Sequence, residues 1–430
     1  MEGIDGAPGG GIPPPPAERV RSRVGRPGAG CDTFDAIVIG AGAAGLHCAA
    51  IAGQRGLKVL LIDHGAKIAE KIRISGGGRC NFTNVDCGPA NFLSANRDFC
   101  RSALARYSAA DFIALVRRHG IAFHEKHRGQ LFCDDSAEQI IAMLLAECQT
   151  GRVLHWQPCA VNEVRTNGSG FELQTARGPV QARQLVVATG GLSIPKIGAT
   201  DFGHRLARQF GHRIVEPRPA LVPLTFAADT WAPFVPLAGA SLEVAIEAGQ
   251  GRQRARFVED LLFTHRGLSG PAVLQASSFW RPGEALQLDL APGQDLPALL
   301  HEAKATSKRQ MGNTLGQWLP QRLADAWLAL QQLPANKAMP EWRDADLARL
   351  ANSLSRWAIV PDGTEGYRKA EVTAGGVDTR ELDSRSLQSR RQAGLYFIGE
   401  VVDVTGWLGG YNFQWAWSSA MACAQALHSP

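Results

Sequence analysis

The sequence predicts an α/β protein in which a parallel, nucleotide-binding sheet is interrupted by an inserted domain, part β and part helical. Three stretches carry this reading. A strand, glycine turn, helix and second strand occupy residues 35–63; another buried strand at 185–188 ends in Thr189-Gly190-Gly191; and a strand, a glycine loop and a long helix close the chain at 395–427.

The first stretch reads DAIVIGAGAAGLHCAAIAGQRGLKVLLID. Asp35 to Ile39 have buried-strand character, and Leu46 to Ala52 are rich in small residues and read as helix. Between them Gly40, Gly42 and Gly45 form a GxGxxG turn. The next apolar run, Lys58 to Ile62, ends at Asp63, 18 positions beyond Gly45, which is the spacing of a dinucleotide site. Gly40 permits the tight turn, Gly42 carries no Cβ to block a pyrophosphate, and Gly45 lets helix and strand pack closely. The free N–H groups of the first helical turn, at Ala43 and Ala44, face phosphate. A carboxylate at Asp63 suits a ribose 2′-hydroxyl and repels a 2′-phosphate, so the expected guest contains ADP. The motif alone does not separate FAD from NAD.

At 430 residues the chain exceeds a single core, and two or three domains are expected. Lys and Arg number 45 against 40 Asp and Glu, a net charge of +5 spread along the chain and not gathered into blocks. Neither a nucleic-acid nor a membrane partner is expected from this balance. The nine cysteines are odd in number and form no CxxC pair, which predicts free thiols in a reducing compartment. No run approaches the roughly 18 to 20 apolar residues of a spanning helix. Residues 1–31 are Gly- and Pro-rich, with Pro13 to Pro16 in a row and four arginines after them. They lack the apolar core of a signal peptide, so a disordered extension or an early start codon is expected, and the cytoplasm is the expected location.

The second informative stretch, KIAEKIRISGGGRCNFTN, spans Lys67 to Asn84. Gly76, Gly77 and Gly78, flanked by Ser75, Arg79 and Cys80, make a backbone that can approach a flat ligand while several donors point at it. Cys80 could be a redox thiol, though most isolated cysteines are inert. Ser108 with Asp111 predicts a capped helix ending at Gly120, and Ser136 with Gln139 predicts a second helix start. His119, His124 and His127 fit no ordinary metal spacing, and no metal is expected.

Residues 153–188 alternate as strands of a small antiparallel element and end in a buried strand, Leu185 to Ala188, before Gly190. A strand ending without side-chain bulk can pass under a dinucleotide. At this distance from the first glycine turn it marks a two-dinucleotide-type FAD fold. From about Ile194 to Ile359 the composition changes. Strand-like runs appear in FVPLAGASLEVAIEA and ARFVEDLLFTHRGLSGPAVLQAS, and residues 292–356 have helical spacing, with Trp318 and Trp327 as core. At the C-terminus, Gly399 and Asp403 follow a strand, and Gly410, Tyr411 and Asn412 open a helix. That order lets Asp403 bind a sugar-alcohol chain while helix N–H groups stabilise negative charge on a reduced isoalloxazine.

With these residues in hand, the chain resembles the YhiN-type predicted flavoprotein family. That family is related to the aminoacetone oxidase family FAD-binding enzymes and to BaiN-like NAD(P)/FAD-dependent oxidoreductases, bile-acid-type enone reductases. SGGGRCNFTN at 75–84, FTHRGLSGPAVLQ at 263–275, EVTAGGV at 371–377 and GEVVDVTGWLGGYNFQWAWSSA at 399–420 carry the resemblance. It implies a discontinuous Rossmann-like FAD domain, 32–193 with 366–430. The insert would then be 194–365, with its β part near 212–290 and its helical part near 292–357, after an extension of 1–31. It also implies tight, non-covalent FAD held by Gly40, Gly42, Ala43, Ala44, Gly45, Asp63, Ser75, Gly76, Gly77, Gly78, Arg79, Cys80, Val161, Ala188, Gly190, Gly399, Asp403, Gly410, Tyr411 and Asn412. Val161 is placed by the Val-x-x-Val pattern at 161 and 164, and Asp63 stands where such folds often carry Glu.

The expected activity is an FAD-dependent oxidoreductase that passes a hydride between flavin and a small organic substrate, with NAD(P)H as reductant. A flavin oxidase using O2 on an amine is the alternative. A non-catalytic or RNA-associated flavoprotein is a further one, for which the insert offers only the short run Arg252, Arg254, Arg256. His265 and Tyr411, with Tyr367 behind them, are the candidate proton donors. His265 lies in a polar island of the insert that is expected to face the flavin.

Overall fold

The computed structural model describes residues 32–428 except 169, 252 and 253. The expected extension at 1–31, and Arg252 of the basic run, lie outside the described residues. The first stretch forms β1 (Asp32–Ile39), α1 (Ala43–Gln54) and β2 (Val59–Ile62). α1 starts three residues before the Leu46 read from the sequence, because the helix opens directly on the glycine turn. Residues 44–50, 52 and 53 of α1 are all buried. A helix enclosed on every side needs no polar stripe, and small side chains let its neighbours approach. A Cβ at Gly53 would stand 2.4 Å from the Gly151 carbonyl oxygen.

β3 (Leu154–Trp156) and an antiparallel meander of β4 (Val161–Thr166), β5 (Phe171–Thr175) and β6 (Gly178–Val187) complete most of the first sheet, in the order β3-β2-β1-β6-β5-β4. β6 has two roles. Its first half pairs antiparallel with β5, while its length runs parallel to β1, with Ile37 opposite Leu185 and Ile39 opposite Val187. The strands buried on both faces are continuous apolar runs, as parallel strands covered by helices must be.

The second half of the chain adds another sheet. β7 (Ile214–Ala220) leads into β8 (Leu224–Thr225), β9 (Ser241–Ala248), β10 (Ala255–Phe263) and β11 (Gly267–Ser269). α2 (Pro271–Phe279), β12 (Leu286–Asp289), three helices between 296 and 355, β13 (Trp357–Ile359) and β14 (Gly363–Thr364) follow. The sheet is antiparallel in the order β13-β12-β9-β10-β11-β8-β14. Two of the strand-like stretches differ from expectation. Ala232–Leu237 is a 3-10 helix, since Pro233 and Pro236 withhold the amides a strand would need. PAVLQAS is α2, with Pro271 at the first helical position where its missing N–H costs nothing. Trp327 is in the core of this unit, with its indole N–H donating to Ser353 Oγ at 3.0 Å; Trp318 is only partly buried.

The chain then returns to the first sheet through β15 (Val372–Val377), which pairs with β7, and β16 (Leu395–Phe397), which lies parallel to β6. α3 (Tyr411–Ala426) ends the fold against α1. The polar residues of its FQWAWSSA segment are buried because each finds a partner. Thr83 Oγ1 donates to Gln414 Oε1 at 2.7 Å, Ser418 Oγ donates to the Tyr107 carbonyl at 2.6 Å, and the Trp417 indole donates to the Phe82 carbonyl at 2.8 Å. Two helix starts can be compared with expectation. Asp111 accepts from the Ser108 backbone N–H at 2.7 Å at the head of Ala109–Arg118, as the capping pattern predicts. The helix predicted from Ser136 begins at Glu138, whose N–H is met by Ser136 Oγ at 3.2 Å.

Candidate cofactor site

A cavity of about 660 Å³ runs from the glycine turn after β1 to the first turn of α3. One end is built by strand ends. Gly40 has φ +106°, and a Cβ there would lie 2.4 Å from the Ala188 oxygen; a Cβ at Gly45 would lie 1.8 Å from the Gly40 oxygen. Both positions are sealed by backbone. Gly42 is the opposite case, with nothing within 4 Å of its missing Cβ and its backbone on the cavity wall. That open cradle at a helix N-terminus fits a pyrophosphate. Asp63 is fixed beside it, Oδ2 accepting from Ala41 N–H and Oδ1 from Gly65 N–H, each at 2.6 Å, with lone pairs left for a ribose.

The other end is made of loops. Gly76 and Gly77 take left-handed φ values of 57° and 66° and, with Ser75, face the cavity. Gly410 (φ +94°) caps α3, and a Cβ there would lie 2.4 Å from Thr83. The Asn412 amide clamps the preceding turn, Oδ1 accepting from Gly406 N–H at 2.8 Å and Nδ2 donating to the Gly406 carbonyl at 2.9 Å. Unpaired N–H groups of a helix's first turn suit an acceptor edge of a ring that gains negative charge.

Of the residues read from the sequence, the structure brings Gly40, Gly42, Ala43, Ala44, Asp63, Ser75, Gly76, Gly77, Ala188, Gly190, Gly399, Gly410 and Asn412 to this one cavity. Gly45, Gly78, Arg79, Cys80, Val161, Asp403, Tyr411 and His265 stand off its wall. The reasons differ. Gly45 serves packing. Asp403 is buried, accepting from Ala95 N–H at 2.8 Å, and burial pushes its carboxyl up; it braces a loop where a sugar contact was expected. Cys80 is fully buried, which pushes its thiol well up and removes thiolate chemistry. Tyr411 packs edge-on to Phe92 and Trp407, with its hydroxyl pushed up to about 12 by burial. His265 lies on an exposed turn whose Thr264 hydroxyl donates to the Gly267 carbonyl. Tyr367 has a buried hydroxyl without a partner among the described residues, and it too is pushed up to about 12 by burial.

Four charged residues on the wall were not singled out in the sequence: Lys71, Glu259, Glu371 and Glu400. Lys71 Nζ reaches Glu400 Oε2 at 2.6 Å and Ser193 Oγ at 2.7 Å, while Glu400 Oε1 accepts from Thr373 N–H at 2.8 Å. This network closes the wall beside Gly399. The surface Glu371 exposes is cavity wall, where the surrounding protein reduces its solvation and holds its carboxyl above the ordinary range, against an opposing pull from Lys71. The single local signal for Glu400 was its place directly after Gly399.

Fold and cavity define a dinucleotide-binding flavoprotein: a parallel sheet with a GxGxxG turn, and a second glycine-rich end formed by distant parts of the chain. The chain belongs to the HI0933-like protein Rossmann domain family, matched over residues 34–426, a family of FAD-dependent oxidoreductases. It is 52% identical over 397 residues to an Escherichia coli protein named ribosomal RNA dihydrouridine synthase, covering 92% of this chain and 98% of that one. A Haemophilus influenzae protein of the same name is 47% identical over 91% of this chain and 98% of its own length. A 3-dehydro-bile acid delta(4,6)-reductase of Clostridium scindens is 28% identical over 90% of this chain and 98% of that one. The FAD chemistry and the mixed α/β fold expected from the sequence agree with this family. No helix among the described residues is long and apolar enough to cross a membrane.

Proposed function

We propose that this chain is an FAD-dependent reductase that converts uridine to dihydrouridine in ribosomal RNA, with NAD(P)H as the source of electrons. The observation that carries the reading is likeness at 52% and 47% identity, across 98% of each relative, to two proteins named for that reaction. It departs from the expectation of a small-molecule substrate and no nucleic acid. That expectation rested on a net charge of +5 without basic blocks, and an enzyme acting on one exposed base can bind through a modest surface.

The chemistry unites the two named reactions. In uracil the C5=C6 bond is conjugated to the C4 carbonyl, as a steroid dienone is conjugated to its own, so each reduction adds hydride at the far carbon and a proton next to the carbonyl. For uridine the balance is NAD(P)H plus one proton plus uridine giving NAD(P)+ and dihydrouridine. FAD, when bound, supplies the hydride chemistry. Gly40, Gly42, Ala43, Ala44, Asp63, Ala188 and Gly190 would hold its ADP half, and Ser75, Gly76, Gly77, Gly399, Gly410 and Asn412 its other half. The first turn of α3 offers N–H groups where charge develops, and Glu371, with its carboxyl held up by lost solvation, is suited to deliver a proton within the cavity.

The test uses the purified, FAD-bearing protein with NADPH or NADH and unmodified ribosomal RNA transcripts. Mass spectrometry of the digested RNA should show dihydrouridine, a gain of about two mass units at one uridine, dependent on a nicotinamide nucleotide. Anaerobic bleaching of the flavin by NAD(P)H without any dihydrouridine would keep the reductase and reject the substrate. Rapid turnover of an amine with O2 and no bleaching by either nucleotide would favour the oxidase.

A further inference from the structure

Glu259 sits on β10 of the inserted sheet, is 8% exposed, and faces the cavity close to the α3 end. Its Oε1 has two distant partners, Gln275 Nε2 at 3.4 Å and Arg128 Nη1 at 3.7 Å, and its Oε2 accepts no hydrogen bond among the described residues. A carboxylate so enclosed is costly unless a donor arrives. Gln275, on α2, is held in one orientation because its Oε1 accepts from Leu408 N–H at 2.9 Å. Its Nε2 therefore points to Glu259, and one of its two hydrogens has no acceptor among the described residues. The wall thus presents a free acceptor beside a free donor. Its complement is an imide edge, an N–H next to a C=O. A steroid dienone has no such edge, and cytosine presents an acceptor at N3 that would oppose the carboxylate.

We propose that Glu259 and Gln275 read the uracil ring, the Glu259 carboxylate accepting its N3–H and Gln275 Nε2 donating to its O4. The proposal rests on the uridine-reduction reading above and deepens it. The O4 contact would also assist the reaction. Hydride addition at C6 moves the C5=C6 electron pair towards O4 as an enolate, which a donor stabilises before C5 takes its proton. The isoalloxazine of FAD carries the same imide edge and is the other source of this chemistry. A carboxylate against that edge would resist the negative charge of the reduced ring, which favours the substrate base. Glu259 and Gln275 also both come from the insert, whereas the glycine cradles come from the first sheet and its loops.

Glu259→Leu and Gln275→Leu would be prepared as FAD-bearing proteins. Dihydrouridine formation in ribosomal RNA transcripts, flavin content, the flavin absorption spectrum and thermal midpoint would be read for each. Glu259→Leu is expected to lower kcat/KM about 10- to 100-fold, the worth of one charge-assisted hydrogen bond, with flavin content and spectrum unchanged. Gln275→Leu should lower kcat with little change in KM for RNA, because its bond strengthens as O4 gains charge. Loss of FAD or a shifted flavin spectrum in Glu259→Leu would assign the carboxylate to the flavin and overturn the proposal. Unchanged turnover would reduce Glu259 to a structural acid beside Arg128. If wild-type protein makes no dihydrouridine in any transcript, the reaction itself falls and this inference with it, an outcome distinct from a wild type that works and variants that work as well.

Discussion

Gly45→Ala is expected to yield a protein that is both less stable and colourless, whereas Gly42→Ala, three residues earlier, should fold normally and lose only its cofactor. The two glycines share a motif but not a job. A Cβ on Gly45 would lie 1.8 Å from the Gly40 carbonyl oxygen and 3.3 Å from the Ala188 side chain. The methyl can be admitted only if α1 moves away from the turn between β1 and α1. Overpacking of this kind costs about 1–3 kcal/mol, and the displaced turn is the one that cradles the pyrophosphate. Around Gly42 there is no protein atom within 4 Å of the missing Cβ, so a methyl leaves the protein's own packing untouched and projects into the space a phosphate would fill. Stability of Gly42→Ala should stay within about 0.5 kcal/mol of wild type. Flavin absorbance per protein and urea midpoints, measured with FAD removed from both, separate the two effects. A Gly42→Ala protein that keeps its full complement of FAD would remove the pyrophosphate from this turn.

What could be read from the sequence was set by how local its cause is. The β1–α1–β2 unit was legible because glycine positions, strand character and the acid at 63 all lie within 29 residues, 35–63, and each states a backbone requirement. The return of the chain at 395–427 was legible for the same reason. Glu259 was not, because strand alternation tells only which face a residue takes; the cavity on that face is completed by Gly409, Gly410 and the hairpin residues Lys126 and His127. Asp403 misled in the opposite direction. A carboxylate just after a strand is the pattern of a sugar contact, but the residue that reaches the cavity there is Glu400, and Asp403 turns inward to Ala95 N–H. His265 looked like a polar island facing the flavin, yet the turn that holds it points away from the cavity wall. Side-chain direction at a loop depends on what the loop packs against, and that partner is distant in sequence.

His47 should make the protein lose stability as pH falls from about 6.5 towards 4, and His47→Leu should remove much of that loss. The imidazole is on α1, 3% exposed, inside a cage of Tyr107, Phe112 and Trp417 with ring centroids 5.2, 5.9 and 5.7 Å away. Its Nε2 has no hydrogen-bond partner among the described residues. Burial lowers its pKa to about 4, with Glu147 pulling weakly the other way. Unfolding releases a histidine that binds a proton near 6.5, so between those two values the unfolded chain holds the extra proton and is favoured by acid. Above pH 6.5 the ring is neutral in both states and the pH has no leverage through it. Across the full interval the shift corresponds to about 3 kcal/mol, at roughly 1.4 kcal/mol per pH unit. His155, His204 and His212 are also lowered by burial and act with the same sign, so the wild-type slope is their sum. The difference between wild type and His47→Leu isolates one member. Urea midpoints followed by fluorescence at pH 7.5, 6, 5 and 4.5 would show it; Trp417, stacked on Phe112 at 4.2 Å, reports on the cage itself. Parallel acid limbs for the two proteins would mean that the ring is protonated in the folded state through an acceptor the cage does not contain.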